Sequence, residues 1–439
     1  IDEFARLVLA EKEQLPVVTE ELGDTWIHGV GTDPYKVGAY EELLRFRDQW
    51  KADEPGAVET PAWRELNRNL MLVCEHTWGR DSKRWFSDYR NWKKKDFQAA
   101  RERDLVTKED VLPAGELLRQ AALEQETFLR GQCRYSMLEQ SWEEQRGYVE
   151  GALASLPLPL REEARKKLGA LRPEQAPVCV HPVEEREFSI RGYQMKVLED
   201  GSLKLLRAPE GKEFQNAWLG RVHYQVYSAQ TVFDNLEAYN RDLEHTRVWA
   251  EGDFAKPGLN VVNGLEDRTF SYTVEAVEQD QDTLRLWMKA DAFAAEEYGA
   301  PRQIVISYIF GETVDIRLEW FQKDASRIPE GLFFGMGLDF SEKQPLQIMK
   351  LGLPVDPYCV REGGNRKLHV APEVRYGDTR LESLHAPLLS VGGKHLYDEN
   401  EEYGKLEDGL YYLLFNNRWN TNFRLWYEEN ASFTFRLHL

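Results

Sequence analysis

The stretch YQMKVLEDGSLKLL, residues 193–206, decides the fold class of the larger part of this chain. Apolar and polar side chains alternate on both sides of Glu199-Asp200-Gly201-Ser202, and alternation around a short polar turn indicates a β-hairpin. The same period of two returns in residues 270–274, 284–288 and 431–439, and the segments 304–309 and 314–320 flank a predicted turn at Phe310-Gly311-Glu312. Residues 173–439 are therefore expected to form a large antiparallel β-sandwich with no helix longer than three turns.

Before this region the apolar residues recur with the period of an α-helix. Residues 56–172 are predicted to form a bundle of three or more helices. The first of them is expected to start at Thr60, a capping residue that is followed by Pro61. One helix is expected to run from a cap at Asp81 through Phe97. The proline-free stretch 114–156 is predicted to form a single long helix, bent near Gly131.

Residues 1–55 are predicted to be the tail of a larger α/β domain. A helix over residues 1–12 is followed by an apolar segment at 15–18 that is typical of a short buried strand. Thr32-Asp33-Pro34 then has the composition of a helix start, with a capping side chain followed by proline. Because one strand cannot form a sheet, a further polypeptide segment is expected to complete this domain.

Composition excludes several classes of protein. The chain has 439 residues, of which 56 are basic and 75 acidic, so its formal charge is −19. This balance argues against a nucleic-acid partner, and no apolar run approaches the roughly 20 residues that cross a bilayer. The four cysteines lie far apart and form no C-x-x-C pair, which favours a reducing, cytoplasmic location.

The motif GDTWIHG, residues 23–29, follows the predicted strand. Active sites of α/β folds gather at the carboxyl ends of strands. Asp24 lies close to Trp26, and an aromatic ring beside a carboxyl group can raise its pKa, as a general acid requires. The alternative is a loop in which Asp24 only forms a turn before a helix, and the residues favour neither interpretation.

Two further motifs combine polar groups with tryptophan. In EHTWGRD, residues 75–81, His76 can bind a metal or a substrate, although the residues favour a histidine that only stabilises a helix C-terminus. In FNNRWNTNF, residues 415–423, Asn417 can bind vicinal hydroxyls and Trp419 can stack on a pyranose ring. An Asn-rich turn between two strands is the commoner explanation of that motif. The charged segment 323–330 is expected to be an ion-paired loop.

The order of an α/β segment, a helical bundle and a large β-sandwich resembles that of the family 38 glycoside hydrolases, the α-mannosidases. Those enzymes contain a seven-stranded α/β barrel, a three-helix bundle and β-sandwich domains. The motifs at residues 23–29, 75–79 and 323–330, together with SWEEQR at residues 141–146, are more similar to a related bacterial and fungal domain-of-unknown-function family. The resemblance implies a multidomain α+β fold in which residues 1–55 are the C-terminal part of the barrel.

The resemblance also assigns roles to individual residues. Asp24, which precedes Trp26 and Gly29, resembles the acid/base Asp that mannosidases place before a helix. Trp26, His28 and Trp78 would shape the sugar subsite, with Asn417 and Trp419 as further candidates for contact with the sugar. The implied substrate is a carbohydrate.

A divalent metal, most simply zinc, is implied by the same resemblance. His76 resembles the zinc-binding His at the end of the first bundle helix, but the Asp that follows it in the mannosidases is Thr77 here. The nucleophile and the remaining metal ligands of the family belong to the first part of the barrel, which is expected to precede Ile1.

The sequence therefore predicts the C-terminal portion of a retaining α-glycosidase of mannosidase type that acts with metal assistance. In such enzymes two carboxyl groups stand about 5 Å apart, one as nucleophile and one as acid and then base. Two alternatives stay open. The chain can be a non-catalytic subunit that binds carbohydrate or acts as a scaffold, or a homologue that has lost catalysis.

Overall fold

The computed structural model describes residues 1–18, 20–75, 78–240, 247–340, 344–398 and 402–439. Within them a helical region precedes two large antiparallel β-sheets, which confirms the predicted multidomain α+β fold with a β-sandwich. None of the described helices is both long and apolar enough to cross a membrane.

Two of the longer helices in the helical region begin where the sequence predicts. Asp33 accepts a hydrogen bond from the backbone N–H of Lys36 at 3.1 Å, and Thr60 accepts one from Trp63 at 3.1 Å. In both cases a proline follows the cap, where its missing N–H costs nothing. The described α-helices are α1 (Asp2–Ala10), α2 (Pro34–Asp53), α3 (Pro61–Val73), α4 (Ser82–Trp85), α5 (Lys94–Arg103), α6 (Lys108–Val111), α7 (Glu116–Glu124), α8 (Glu126–Leu129), α9 (Tyr135–Ser155), α10 (Leu158–Ala170), α11 (Ala229–Tyr239) and α12 (Arg247–Phe254).

Helices α2, α3, α9 and α10 share one apolar core. Leu43 of α2, Leu66 and Leu70 of α3 and Val149 of α9 are buried together in it. Helix α2, which the sequence analysis assigned to the first segment, thus packs within the helical region.

The predicted helix from Asp81 through Phe97 is interrupted. Helix α4 ends at Trp85, and the next helix begins only at Lys94. Between them the buried carboxylate of Asp88 accepts hydrogen bonds from the backbone N–H groups of Arg90 and Asn91, at 2.9 and 3.0 Å. A carboxylate that binds nearby backbone donors competes with helix formation, and this contact explains the break.

The single long helix predicted for residues 114–156 is also wrong. This stretch contains α7, α8 and α9, with a break at residues 130–134. Arg134 forms an isolated antiparallel bridge with Leu105, and the Asp104 carboxylate accepts from the backbone N–H of Ser136 at 2.8 Å. These contacts from a distant loop fix where α9 begins.

The strand predicted at residues 15–18 is absent. The described residues there are unpaired, and the side chain of Val17 is 87% exposed. An extended segment becomes a strand only when another strand pairs with it, and none of the described strands lies beside residues 15–18.

The sandwich contains two sheets that pack face to face. The strands are β1 (Glu187–Ile190), β2 (Tyr193–Val197), β3 (Leu203–Arg207), β4 (Trp218–Val226), β5 (Arg268–Ser271), β6 (Thr273–Asp280), β7 (Thr283–Lys289), β8 (Gln303–Phe310), β9 (Val314–Phe321), β10 (Glu330–Gly337), β11 (Leu346–Lys350), β12 (Leu353–Val355), β13 (Leu368–Val370), β14 (Glu373–Tyr376), β15 (Thr379–Ser383), β16 (Leu388–Val391), β17 (Leu410–Asn416) and β18 (Ala431–His438). One sheet has the order β1-β2-β3-β4-β10-β17-β16-β13 with β5 also on β4, and the other has the order β12-β11-β14-β15-β18-β9-β8-β7-β6. Phe334 and Tyr412 of the first sheet each lie 5.0 Å, between ring centroids, from Phe435 of the second.

The hairpin predicted around residues 199–202 is confirmed. β2 pairs with β3, and the turn is closed by a hydrogen bond from the Ser202 N–H to the Asp200 carboxylate at 3.0 Å. Gly201 has a φ of 76°, a conformation that glycine adopts without strain. Among the described residues after 173, the longest helix is α11, whose 11 residues make about three turns.

Buried charges connect the helical region to the sandwich. The Asp33 carboxylate at the start of α2 accepts from Arg146 of α9 at 2.7 and 2.8 Å, and Arg424, between β17 and β18, lies 3.4 Å from it. Burial opposes ionisation of Asp33, but the two guanidinium groups outweigh it and hold its pKa well below the usual range. The predicted ion-paired loop is present too, since Lys323 and Glu330 are fully buried partners at 2.9 Å.

We expect Arg146→Met to lower the free energy of unfolding by about 3–5 kcal/mol, because it removes the main partner of a buried carboxylate. Urea unfolding at pH 7 measures this. Arg165→Met is the matched control, because Arg165 forms only an exposed pair with Glu162 and its loss should change stability by less than about 0.5 kcal/mol. A loss below about 1 kcal/mol for Arg146→Met would contradict the assigned role.

The same pair predicts a pH dependence. A carboxylate with a lowered pKa contributes its stability fully above its unfolded pKa of about 4 and loses it as the pH falls. The difference in stability between wild type and Arg146→Met should therefore narrow from pH 5 toward pH 2. A difference that stays constant over this range would show that Asp33 is not the group that Arg146 stabilises.

Candidate functional site

A loop of the sandwich fixes the segment that carries Asp24. The backbone N–H of Arg361 donates to the carbonyl of Glu21, and that of Asn365 donates to the carbonyl of Gly23, each at 2.8 Å. Gly23 has a φ of 67°, and a Cβ atom there would lie 2.5 Å from the Asn365 nitrogen. Only glycine fits this approach, so Asp24 starts from a rigid backbone position.

Asp24 caps a short 3₁₀ helix, Thr25–Thr32, that lies against the sandwich. Its exposed carboxylate accepts from the backbone N–H of Trp26 at 2.8 Å. Gly29 in this helix lies on the ring of Phe423, where an added Cβ would be 2.1 Å from the ring. The Trp26 ring packs on the same Phe423 at 5.1 Å between centroids. These contacts hold Trp26 beside the carboxylate.

A cavity of about 330 Å³ lies between this 3₁₀ helix, α2, the end of α3 and the sandwich. Its walls are mainly apolar, and three aromatic rings contribute to them: Trp26, Trp78 and Phe423. Trp78 meets Phe423 edge to face at 6.0 Å between centroids. An apolar, aromatic cleft with few polar groups is the usual form of a small-molecule site.

Five polar side chains line the same cavity: Asp24, Lys36, Tyr40, Glu41 and Cys74. Burial raises the pKa of Glu41, and burial together with a hydrogen bond to the Cys74 thiol raises that of Tyr40. Burial lowers the pKa of Lys36 to about 8. The cavity therefore offers two carboxyl groups, a phenol, a thiol and one amine to a ligand.

Lys36 is one of four polar residues of this cavity that the sequence analysis did not name as site residues; the others are Tyr40, Glu41 and Cys74. Its ammonium nitrogen lies 4.0 Å from the centroid of the Trp78 ring. Lys36 and Tyr40 are four residues apart on α2 and so share one face of the helix. The spacing of Lys36 and Tyr40 was the sequence signal for a polar face on α2. It was missed because the apolar residues of α2 were read only as a packing face.

The structure brings three of the predicted site residues together. Asp24, Trp26 and Trp78 line one cavity although Trp78 lies 52 positions after Trp26 in the sequence. His76 lies outside the described residues, and its assignment stays a prediction. Cys74 and Trp78, on either side of it in the sequence, both line the cavity.

The other predicted contacts are buried away from the cavity. The imidazole of His28 is 1% exposed and its Nδ1 lies 2.8 Å from the Thr25 carbonyl, and burial with the charge of Arg418 lowers its pKa. Trp419 is also 1% exposed and packs against Trp26 at 5.5 Å between centroids. We therefore leave both residues out of the site.

The side chain of Asn417 forms hydrogen bonds with backbone groups and does not line the cavity. Its amide donates to the carbonyl of Ile328 at 3.0 Å, and its carbonyl accepts from the N–H of Glu330 at 2.8 Å. The side chain is fully buried. The alternative explanation of the motif at residues 415–423, an Asn-rich turn that follows a strand, agrees with this position.

The described part of the chain contains no group of three His, Cys, Asp or Glu side chains that could hold a metal ion. The described residues therefore provide no set of ligands for the zinc ion that the resemblance implies.

These features define a multidomain α+β protein with an aromatic, mainly apolar cavity that carries a few polar side chains, beside the junction of its helices and its β-sandwich. Residues 30–317 match the family described as domain of unknown function DUF5054. This match covers more than half of the chain, and the chain belongs to that family.

Several solved structures are similar to the chain at low identity. A protein of glycosyl hydrolase family 38 from Enterococcus faecalis matches at 10% identity over 99% of this chain and 59% of its own, with a TM-score of 0.44. An alpha-mannosidase from Enterococcus faecalis V583 matches at 10% identity over 59% of this chain and 29% of its own, with a TM-score of 0.35. A galactose mutarotase related enzyme from Lactobacillus acidophilus matches at 8% identity over 58% of this chain and 97% of its own, with a TM-score of 0.29. No curated protein matches the chain in sequence.

We expect Gly29→Ala to lower the free energy of unfolding by about 1–3 kcal/mol, because its Cβ would overlap the Phe423 ring. Gly56→Ala is the control, since an added Cβ there meets no atom within 4 Å. The double variant Gly29→Ala/Phe423→Leu should recover part of the loss. Chemical denaturation measures all four proteins, and equal stability of Gly29→Ala and Gly56→Ala would contradict this packing.

Proposed function

We propose that the chain is the C-terminal portion of a glycosidase-related protein, a retaining α-glycosidase of α-mannosidase type, and that the cavity belongs to its sugar-binding site. The observation that carries the proposal is the convergence of Asp24, Trp26 and Trp78 on one cavity. These residues come from the two motifs in which the resemblance to mannosidases assigns roles to residues. Aromatic rings beside carboxyl groups match a sugar, which has apolar C–H faces and polar hydroxyl edges.

In this proposal Asp24 is the acid/base residue. As the acid it protonates the glycosidic oxygen while a second carboxylate attacks the anomeric carbon and forms a glycosyl ester. As the base it then removes a proton from the water that cleaves this ester. The attacking carboxylate is expected in a segment that precedes Ile1, and Glu41 is a further carboxyl group of the same cavity.

We also propose that a polypeptide segment covers residues 1–50. Support comes from a concentration of exposed apolar side chains at the start of the chain. Phe4 is 71% exposed and Val17 is 87% exposed, and Leu7, Leu9 and Leu22 are more than half exposed. Apolar groups gathered in this way mark an interaction surface. A cytoplasmic location and the absence of nucleic-acid and membrane partners stay expectations from composition.

We keep zinc in the proposal only because the resemblance assigns His76 as a zinc ligand. Metal analysis of the purified protein that contains this chain, with His76→Ala as the variant, tests it. A bound stoichiometric metal that His76→Ala removes would support the assignment, and equal metal content in both proteins would oppose it.

We expect Asp24→Asn to lower kcat by about 10²–10⁴-fold for hydrolysis of 4-nitrophenyl α-mannoside by the protein that contains this chain and its preceding segment. Asn caps a helix as well as Asp does, so the fold should be kept. The loss should be smaller with a 2,4-dinitrophenyl leaving group, which departs without protonation.

Asp356→Asn is the matched control for this assay. Asp356 is exposed and accepts a backbone N–H two residues on at 2.8 Å, the same contact that Asp24 makes with Trp26. Its substitution should leave kcat unchanged. Turnover by Asp24→Asn at the wild-type rate with both leaving groups would overturn the acid/base role.

A non-catalytic carbohydrate-binding function is the second candidate. It is favoured by the mainly apolar lining of the cavity and by the use of Asp24 as a helix cap. A protein that binds methyl α-mannoside, loses binding in Trp78→Ala and hydrolyses no aryl glycoside would select this function over catalysis.

A further inference from the structure

The ammonium group of Lys36 lacks a hydrogen-bond acceptor. The side chain is 1% exposed, and among the described residues no oxygen accepts from its Nζ. Its contact is with the Trp78 ring, whose face supplies an attraction but no hydrogen-bond acceptor. Three N–H donors are thus withdrawn from water without replacement, which destabilises the folded protein.

The other buried lysines of the described chain do not share this feature. Lys256 donates to the carbonyl of Asn417 at 2.6 Å. Lys323 donates to the Glu330 carboxylate at 2.9 Å, and Lys367 to that of Asp398 at 3.2 Å. The fold therefore supplies acceptors to its buried lysines as a rule, and Lys36, which lines a cavity, is the exception.

The charges around the cavity indicate what an acceptor for Lys36 should be. Asp33 and Glu75 attract its charge, but the Asp33 carboxylate is bound by Arg146. Asp24 and Glu41 line the cavity with Lys36, so an anionic ligand would meet two carboxyl groups for one ammonium group. An uncharged polyol avoids this repulsion, because its hydroxyls accept from an ammonium group and donate to carboxylates.

We propose that Lys36 is a ligand-binding residue of this cavity and that its ammonium group donates hydrogen bonds to hydroxyl oxygens of an uncharged sugar. The inference rests on the proposed sugar site and adds to it both the cation that holds the sugar and a selection against acidic sugars. Trp78 orients the ammonium group from one side, and the ligand supplies the acceptors that the protein lacks.

The test compares wild type with Lys36→Met, which keeps the length of the side chain and removes its charge. Calorimetry measures binding of methyl α-D-mannopyranoside and of the corresponding 6-carboxylate, and thermal unfolding measures Tm. Lys166→Met is the control, since Lys166 is exposed on α10. We expect Lys36→Met to bind the neutral glycoside at least tenfold more weakly and yet to unfold at a higher Tm, because it removes a buried charge without a partner.

The two readouts together separate binding from a structural role. If Lys36 only supports the fold, Lys36→Met lowers Tm, and this result overturns the inference. Unchanged affinity in Lys36→Met, tighter binding of the carboxylate than of the neutral glycoside by wild type, or no binding of either sugar by wild type overturns it as well. The control should match wild type in both measurements.

This experiment can fail independently of the proposed function. Affinity that depends on Lys36, together with full turnover by Asp24→Asn, would overturn the catalytic proposal and leave this inference in place. Turnover that depends on Asp24, together with sugar affinity that does not depend on Lys36, would support the catalytic proposal and overturn this inference.

Discussion

The pairing of buried charges between the helices and the sandwich is the constraint on which the cavity depends. Asp33 begins α2, and its carboxylate is held by Arg146 from the helical region and approached by Arg424 from the sandwich. A buried charge that loses its partner costs several kcal/mol, so these contacts fix α2 against the sheet. Because Lys36 lies one helical turn after Asp33, its position beside the Trp78 ring follows from the same pairing.

Local signals predicted much of the fold, because caps and turns act within a few residues. The helix starts at Asp33 and Thr60 and the hairpin at residues 199–202 were found from such signals. The two helix breaks were missed for different reasons. The Asp88 carboxylate binds the backbone N–H groups of Arg90 and Asn91, and this local turn was not recognised within a helical pattern. The start of α9 depends on Asp104, which lies 32 residues before Ser136, and periodicity does not reveal such a contact. The segment 15–18 has the composition of a strand but no strand to pair with, and periodicity carries no information about partners.

The candidate site was predictable only in part for a related reason. Asp24, Trp26 and Trp78 belong to motifs in which an acidic or aromatic residue stands out from its neighbours, and the structure brings them to one cavity. Composition cannot distinguish an aromatic residue that lines a cavity from one that packs beneath it. Trp419 lies beneath Trp26, and Asn417 satisfies backbone groups of the sandwich, so both resemble binding residues only in sequence. Lys36 was missed because a single lysine in an amphipathic helix is ordinarily exposed.

The polar groups of the cavity are held by contacts that leave their hydrogen-bonding capacity for a ligand. Gly23 and Gly29 place the Asp24 segment by close backbone and ring contact, and Asp24 uses one carboxylate oxygen for its cap. The ammonium group of Lys36 lies against the face of the Trp78 ring, which attracts the charge but has no oxygen or nitrogen acceptor to offer. Proteins tolerate unsatisfied polar groups mainly where function requires them, and elsewhere this chain pairs its buried lysines. In the proposed sugar site, a ligand that supplies the missing acceptors would recover the stability lost at Lys36, which would couple occupancy of the cavity to the stability of the protein.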